Sequence, residues 1–204
     1  KTMRPFPQSL KILLERPFLT SPAWERFSER LSILLPTISQ GETVLCAEED
    51  SVEALAIFFA VVLRKGGVFL ANPRWQSAEW EQVNLLTGFH KLSGCPAIEA
   101  DPSSAATFDE ARIMIPSGGT SGGIRFCVHT LDTLSSAVES LHHFHGRKCL
   151  NSINPLPIFH VSGLMPVLRA FLTGGIVQLA DWKAIESEDF PLRPAAWTTI
   201  SLVP

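Results

Sequence analysis

Tyrosine is missing from this chain, although thirteen phenylalanines and five tryptophans are present, and nothing in the pattern of residues accounts for that. Other absences exclude whole classes of protein. The longest apolar run, Ala54 to Leu63, falls well short of the roughly 20 residues a membrane-crossing helix needs and suits a helix buried in a core. The four cysteines, Cys46, Cys95, Cys127 and Cys149, form no C-x-x-C pair, so neither a zinc knuckle nor a dithiol redox motif is written here. A net charge of -3 and a pI near 6.1 provide no broad basic field, which argues against nucleic acid or an anionic membrane as partner. Lys1 to Gln8 holds two prolines and no apolar stretch of the kind a secretory leader carries, so the expectation is a cytoplasmic protein.

What is present is enough apolar residue to fold. With 46% hydrophobic and 18% charged residues over 204 positions, a chain of this size buries roughly 70% of its unfolded surface. Ser21-Pro22 predicts a helix start, and Trp24, Phe27, Leu31, Leu34 and Leu35 recur at helical spacing up to Pro36. From Thr43 the period changes. Thr43 to Ala47 reads as a buried strand, Ser51 as the cap of a helix Val52 to Lys65 stopped by Gly66-Gly67, and Val68 to Ala71 as the next strand. Strand, helix, strand implies a parallel pair and an α/β fold.

The alternation continues with a helix Gln76 to Leu86 and strands near Cys95 to Ala100 and at Ala111 to Ile115. After a loop come a strand Ile124 to Val128, a helix Asp132 to Phe144 and a strand Cys149 to Ile153. A helix Ser162 to Leu172 and strands Gly175 to Leu179 and Ala196 to Val203 complete the pattern. The expected division is an N-terminal helical segment, 1–40, followed by an α/β region, 41–204.

The richest chemistry lies between Ile115 and Ile124. Ser117-Gly118-Gly119-Thr120-Ser121-Gly122-Gly123 holds four glycines and three hydroxyl residues, a composition that lets backbone N–H groups turn toward an anion while hydroxyls add donors. Arg125 follows with a fixed charge and several donors. The lysine of G-x-x-x-x-G-K-[ST] is absent, because Ile124 follows Gly123, and G-x-G-x-x-G does not occur. Read by itself, the segment is either a phosphate-gripping loop or a plain glycine-rich hairpin.

The run Gly118 to Arg125 resembles the signature loop of the adenylate-forming superfamily of acyl-CoA synthetases, luciferases and adenylation domains, written S-G-[ST]-T-G-x-P-K. Gly118 stands for the first Ser, Ile124 for Pro and Arg125 for Lys. About forty residues on, Leu156-Pro157-Ile158-Phe159-His160-Val161-Ser162-Gly163 is similar to that superfamily's P-[LM]-F-H-x-x-G segment. The Phe159 to Gly163 wording, Val128-His129-Thr130 and Ser201 to Pro204 are most similar to its 2-succinylbenzoate-CoA ligase branch, of menaquinone and phylloquinone synthesis.

The resemblance implies the N-terminal part of a large AMP-binding domain in an acid-thiol ligase. Its substrates would be ATP with Mg2+, a carboxylic acid such as 2-succinylbenzoate, and coenzyme A, with a homo-oligomer as a possible assembly. It implies that Ser117, Gly118, Gly119, Thr120, Ser121, Gly122, Gly123 and Arg125 hold the phosphates, that Arg125 stabilises charge in catalysis and that His160 shapes the acyl pocket. Members of the superfamily are longer than this chain. Their Y-G-x-T-E segment, ribose-binding Asp and distal Lys would lie beyond Pro204, so ligation by these 204 residues alone is not expected. Another adenylating enzyme, transferring to a carrier thiol or to CoA from an aryl acid, and a non-catalytic phosphate-binding α/β domain stay open as alternatives. His142, His143 and His145 on a helix point in different directions and do not read as a metal site. His129 reads as a strand-edge residue, Trp75 and Trp80 as core or interface, and Glu48 to Asp50 as a solvated turn.

Overall fold

The structure is a computed structural model and describes residues 14–94, 98–117, 123–146, 148–181, 185 and 198–200. The chain divides into two compact units, residues 27–131 and residues 1–26 with 132–204.

In the unit 27–131, α1 (Ala23–Leu34), which enters it at Phe27, leads through a 3-10 turn (Leu35–Thr37) to β1 (Thr43–Cys46). α2 (Ser51–Leu63), β2 (Gly67–Leu70), α3 (Ser77–Leu86) and β3 (Lys91–Ser93) follow. β4 (Arg112–Ser117) and β5 (Arg125–His129) complete a five-stranded sheet in the order β3-β1-β2-β4-β5. β1 pairs parallel with β2 and β3, and β2 with β4, while β4 and β5 are antiparallel. The expected α/β fold is the observed one, with a hairpin at one margin of an otherwise parallel sheet.

From Ala54 on α2 is apolar on every side, and Val52 and Ala54 to Val62 are all buried, as the uninterrupted apolar run predicts. It packs on β1 and β2, and Phe59 meets Phe27 of α1 edge to face at 5.6 Å. On the sheet, Leu45, Ala47 and Ala71 join Trp80 and Val83 of α3 and Phe89 in one cluster, with Trp75, Ile124 and Phe126 packed against it. Burying a Trp removes about 150–250 Å² of surface, which at about 25 cal/mol per Å² is worth about 4–6 kcal/mol. Trp80 therefore makes α3 a firm fixture.

Several local expectations shift. The cap of α2 is Asp50, whose carboxylate accepts from the N–H groups of Val52 (2.8 Å) and Glu53 (3.0 Å), not Ser51. A carboxylate at the N-terminus of a helix gains from the helix dipole as well as from the hydrogen bonds, which favours Asp over the neighbouring hydroxyl. Gly66 and Gly67 serve close packing more than helix termination. The left-handed residue after α2 is Lys65 (φ 56°), whereas a Cβ on Gly66 would lie 2.1 Å from the carbonyl oxygen of Glu42 and one on Gly67 2.5 Å from the Phe108 ring.

The strand expected near Cys95 to Ala100 lies earlier, at Lys91–Ser93. Three residues cannot display an alternation, and this strand is held by backbone pairing, with His90 N–H donating to Thr43 (2.8 Å) and Ala47 N–H to Ser93 (2.9 Å). Gly94, at φ 87°, then turns the chain away. Residues 95–97 of that expected strand lie outside the described residues.

The other unit has a three-stranded parallel sheet, β7-β6-β8, made of β6 (Asn151–Asn154), β7 (Val177–Leu179) and β8 (Thr198–Ile200). α4 (Leu131–Phe144, in this unit from Asp132) and α5 (Val161–Thr173) accompany it. The remainder of the strand expected at Ala196 to Val203 lies outside the described residues. The irregular stretch before α1 is pinned here. Phe18 and Leu19 are buried, Leu19 bridges Val177, and the Phe18 ring stands edge to face with Trp24 (5.5 Å) and Phe171 (5.2 Å).

The first turn of α5 crosses the 156–157 turn so closely that a Cβ on Gly163 would lie 2.1 Å from the Pro157 carbonyl oxygen. Buried Asn154 ties the two together, donating from Nδ2 to Gly163 O (2.8 Å) and accepting from Leu156 N–H (3.3 Å).

Two substitutions test these assignments through urea unfolding of the chain. Asp50→Ala is expected to cost about 1 kcal/mol and Ser51→Ala only a few tenths; equal losses would return the cap to Ser51. Gly163→Ala, which improves helix propensity, is nevertheless expected to destabilise by about 1–3 kcal/mol because a backbone carbonyl cannot give way. A stabilised Gly163→Ala variant would show that the crossing is looser than described.

Candidate functional site

Each predicted site residue has a definite place except those in the middle of the loop. Gly118, Gly119, Thr120, Ser121 and Gly122 lie outside the described residues. The ends of the run are described. Ser117 closes β4 and Arg125 opens β5, and the two are paired across the hairpin in the last rung of the ladder. The Ser117 hydroxyl stands 3.5 Å from the Arg125 carbonyl oxygen, at the limit of hydrogen-bond distance. Cross-strand partners lie on one face of a pleated sheet, so the Ser117 hydroxyl and the Arg125 guanidinium share a face at the mouth of the glycine run.

The local reasons for this hairpin are clear. Ile113, Met114 and Ile115 are buried and seat β4 against β2, and Phe126 of β5 meets Phe69 of β2 at 5.1 Å, edge to face. Five rungs, Ile113↔His129 to Ser117↔Arg125, hold β5 on β4. The loop thus springs from a fixed stem.

Arg125 is exposed, and among the described residues no carboxylate is within ion-pair distance of it. Arg112, at the opposite end of β4, differs: its guanidinium is paired with Glu110 at 2.5 Å. Both arginines border a cavity of about 430 Å³ whose other walls include Phe69, Phe108, Met114 and Phe126, a volume in the range of small-molecule sites.

The residue that sequence reading passed over is Gln82 of α3. Its Oε1 accepts from the Ile124 N–H at 2.9 Å, immediately before Arg125. A lone Gln forty-two positions upstream of its partner carries no signal in a sequence; only the packing of α3 beside the hairpin reveals it.

His160 belongs to the other unit. It is the N-cap residue of α5, in extended conformation (φ -102°, ψ 146°), and makes no side-chain cap bond. The capping is done by its backbone, which donates to Pro157 O (3.1 Å) and accepts from the Gly163 (3.0 Å) and Leu164 (2.9 Å) N–H groups. The ring is thereby left available for other contacts. Loss of solvation holds its pKa below the usual 6.5, although the residue as a whole is exposed; the Phe159 ring lies 4.6 Å away between centroids. A neutral imidazole offers one donor and one acceptor.

Other candidates resolve into structure. Buried Trp80 and half-buried Trp75 form an edge-to-face pair at 5.4 Å. His129 is a rung of β5 opposite Ile113. His142 lies 3.7 Å from Glu139, and no group of three or more His, Cys, Asp or Glu among the described residues is arranged to hold a metal. Buried Cys46 has its thiol pushed up to about 12 by desolvation, which keeps it unreactive; Cys127 and Cys149 are exposed free thiols, and Cys95 lies outside the described residues. No described helix is long and apolar enough to cross a membrane.

No family model matches the chain, and no curated protein matches it. Solved structures do. O-succinylbenzoate coenzyme A synthetase (MenE) from Bacillus subtilis, in complex with AMP, superposes with a TM-score of 0.66 at 17% identity, over 91% of this chain and 59% of that one. The inhibitor-bound N-terminal domain of FACL13 from Mycobacterium tuberculosis gives 0.62 at 20% identity, over 80% and 50%. ATP-bound MatB from Rhodopseudomonas palustris gives 0.65 at 16% identity, over 90% and 47%. The chain therefore spans about half the length of the solved structures it is similar to. Likeness at these identities concerns architecture: the chain has the mixed α/β fold found in the N-terminal domain of adenylate-forming enzymes.

Proposed function

We propose that this chain is the N-terminal portion of an ATP-dependent acid-CoA ligase, and that its acid is 2-succinylbenzoate. The observation that carries the reading is the hairpin stem. It sets the Ser117 hydroxyl and Arg125, which has no carboxylate partner among the described residues, on one face at the two ends of a glycine-rich run, within the fold shared with adenylate-forming enzymes.

In the reaction a carboxylate oxygen attacks the α-phosphorus of ATP, the bond to pyrophosphate breaks, and the CoA thiolate then displaces AMP from the acyl-adenylate. The negative charge that builds on the departing pyrophosphate is what this site would stabilise. Backbone N–H groups and hydroxyls of Ser117 to Gly123 would surround the β- and γ-phosphates, and Arg125 would add a charged donor where that charge develops. Mg2+ enters with ATP as part of the substrate, and no described residue is assigned to it. His160, with a neutral ring free of capping duty, suits a wall of the acyl pocket better than an obligatory base.

The finer assignment rests on the Phe159 to Gly163 wording and the Val128-His129-Thr130 sequence after the loop. It is in keeping with one structural neighbour, MenE from Bacillus subtilis, having been solved with the acyl-adenylate OSB-AMP.

In a protein that carries this chain with the rest of the fold, Arg125→Ala is expected to slow ATP–pyrophosphate exchange by on the order of 2–4 kcal/mol in transition-state stabilisation. Arg112→Ala, which loses an arginine already paired with Glu110, should change exchange little; equal rates for the two variants would remove Arg125 from the site. With ATP, Mg2+ and CoA, kcat/KM is expected to favour 2-succinylbenzoate over palmitate and over benzoate. His160 contributes about 1–3 kcal/mol to that preference by hydrogen-bonding a polar acid that an alkyl chain would leave unmatched. Equal efficiency with palmitate or benzoate would end the 2-succinylbenzoate assignment and leave the adenylating one standing.

A further inference from the structure

We propose that the cavity on one face of the five-stranded sheet is a binding site for an aromatic monoanion, a flat aromatic body that bears one acidic group. The nine residues that line it are all described and all belong to the unit 27–131. The site draws on nothing between Ser117 and Ile124 and on no residue of the unit that holds His160.

Its floor is built by strand register. Phe69 of β2 is paired with Met114 of β4, and Met114 with Val128 of β5, so these three side chains stand in one row on one face. Val68 and Ile113, on the opposite face by alternation, are buried. α3 covers the neighbouring part of the cavity face, where its Trp80 and Val83 pack with Leu45, the β1 partner of Phe69. The helix ends at Leu86, and the apolar floor runs on beyond it. Leu86 and Val128, 57% and 63% exposed, form the lip.

The walls set the ligand's chemistry. Phe126 stands edge to face with Phe69 at 5.1 Å, and the Phe108 ring lies so close over Gly67 that a Cβ there would come within 2.5 Å of it. Aromatic rings and the flat guanidinium of arginine all offer planar faces, which suit a rigid aromatic body better than a flexible chain that loses rotamers on binding. Arg112 follows the alternation of Met114 two residues along β4 and stands on the cavity face opposite Gly67. Of the nine lining residues two, Arg112 and Arg125, are cationic and none is acidic. Glu110 is paired with one Arg112 nitrogen at 2.5 Å, which leaves further guanidinium donors for an anion. Water in so apolar a space finds few partners, so a ligand that displaces it gains the burial of Leu86 and Val128 together with a charge-assisted hydrogen bond.

Methionine-methyl NMR of the 204-residue chain tests this. The chain has three methionines, Met3, Met114 and Met165; Met114 lines the cavity, and Met165 lies in the other unit. The probe is 2-naphthoate, with 2-naphthalenemethanol as its uncharged counterpart and octanoate as a flexible anion. Titration with 2-naphthoate is expected to shift the Met114 methyl with a dissociation constant below about 1 mM and to leave Met165 in place. The other two compounds should bind about tenfold more weakly. Arg112→Gln should weaken 2-naphthoate about tenfold, whereas Glu110→Gln, which frees Arg112 from its partner, should tighten it about twofold. Val128→Glu, at an exposed position, should abolish the shift by setting a carboxylate beside the anion. Should Arg112→Gln fail to fold, 2-naphthoate against 2-naphthalenemethanol on the parent chain decides the role of charge. A shift at Met165 with none at Met114, equal affinity for 2-naphthalenemethanol or octanoate, or no binding up to about 10 mM overturns the site and leaves the ligase reading untouched.

Discussion

The antiparallel pairing of β5 with β4 is the constraint on which the candidate site depends. β4 is bound on both sides, parallel to β2 and antiparallel to β5, and its Ile113, Met114 and Ile115 are buried. A strand seated in this way does not shift register without exposing its apolar residues. The glycine-rich run therefore departs from and returns to fixed points, and Ser117 and Arg125 are brought opposite each other by the ladder itself. Gln82 adds a third point of attachment that no strand provides.

Close backbone approach is the second recurring theme. Gly66 under Glu42, Gly163 under Pro157 and Gly175 under Leu150 each sit where a Cβ would meet a carbonyl oxygen at 2.1–2.2 Å. Only Gly163 among them lies in the stretch similar to the superfamily's second motif. Its role in that stretch is to let α5 start directly after the turn, which fixes the backbone of His160 in its N-cap position. The same stretch thus combines a packing requirement, carried by Gly163 and Asn154, with a ring free to meet a ligand.

Fold and function have different standing in this molecule. The architecture agrees with enzymes that share fewer than about one residue in five with it, as the identities of 16–20% show. Backbone topology survives such divergence because many apolar sequences satisfy one pattern of buried positions. The choice of acid is decided by a few side chains in a pocket, and a fold says nothing about those. Arg125 and His160, the two side chains proposed to meet the substrates, are in separate units of this chain.

The order of elements was legible in the sequence because it follows from local periodicity: the apolar run of α2, the strands on either side of it and the two strands that flank the glycine-rich run all declare themselves within a few residues. Trp80 is buried and Trp75 packs against the same cluster, within the reading of the pair as core or interface. Position of pairing was less legible. β3 has three residues and owes its place to β1, and the cap of α2 turned on which of two neighbouring polar residues the backbone aimed at the helix end. Gln82, Asn154 and the space requirements of Gly66 and Gly67 left no mark in the sequence at all. The sequence by itself determined the alternation of helices and strands around the parallel sheet, because local periodicity sets it. The tertiary structure alone decided which distant groups would meet, because a hydrogen bond between Gln82 and Ile124 depends on the packing of a helix against a sheet and not on anything either residue's neighbours encode.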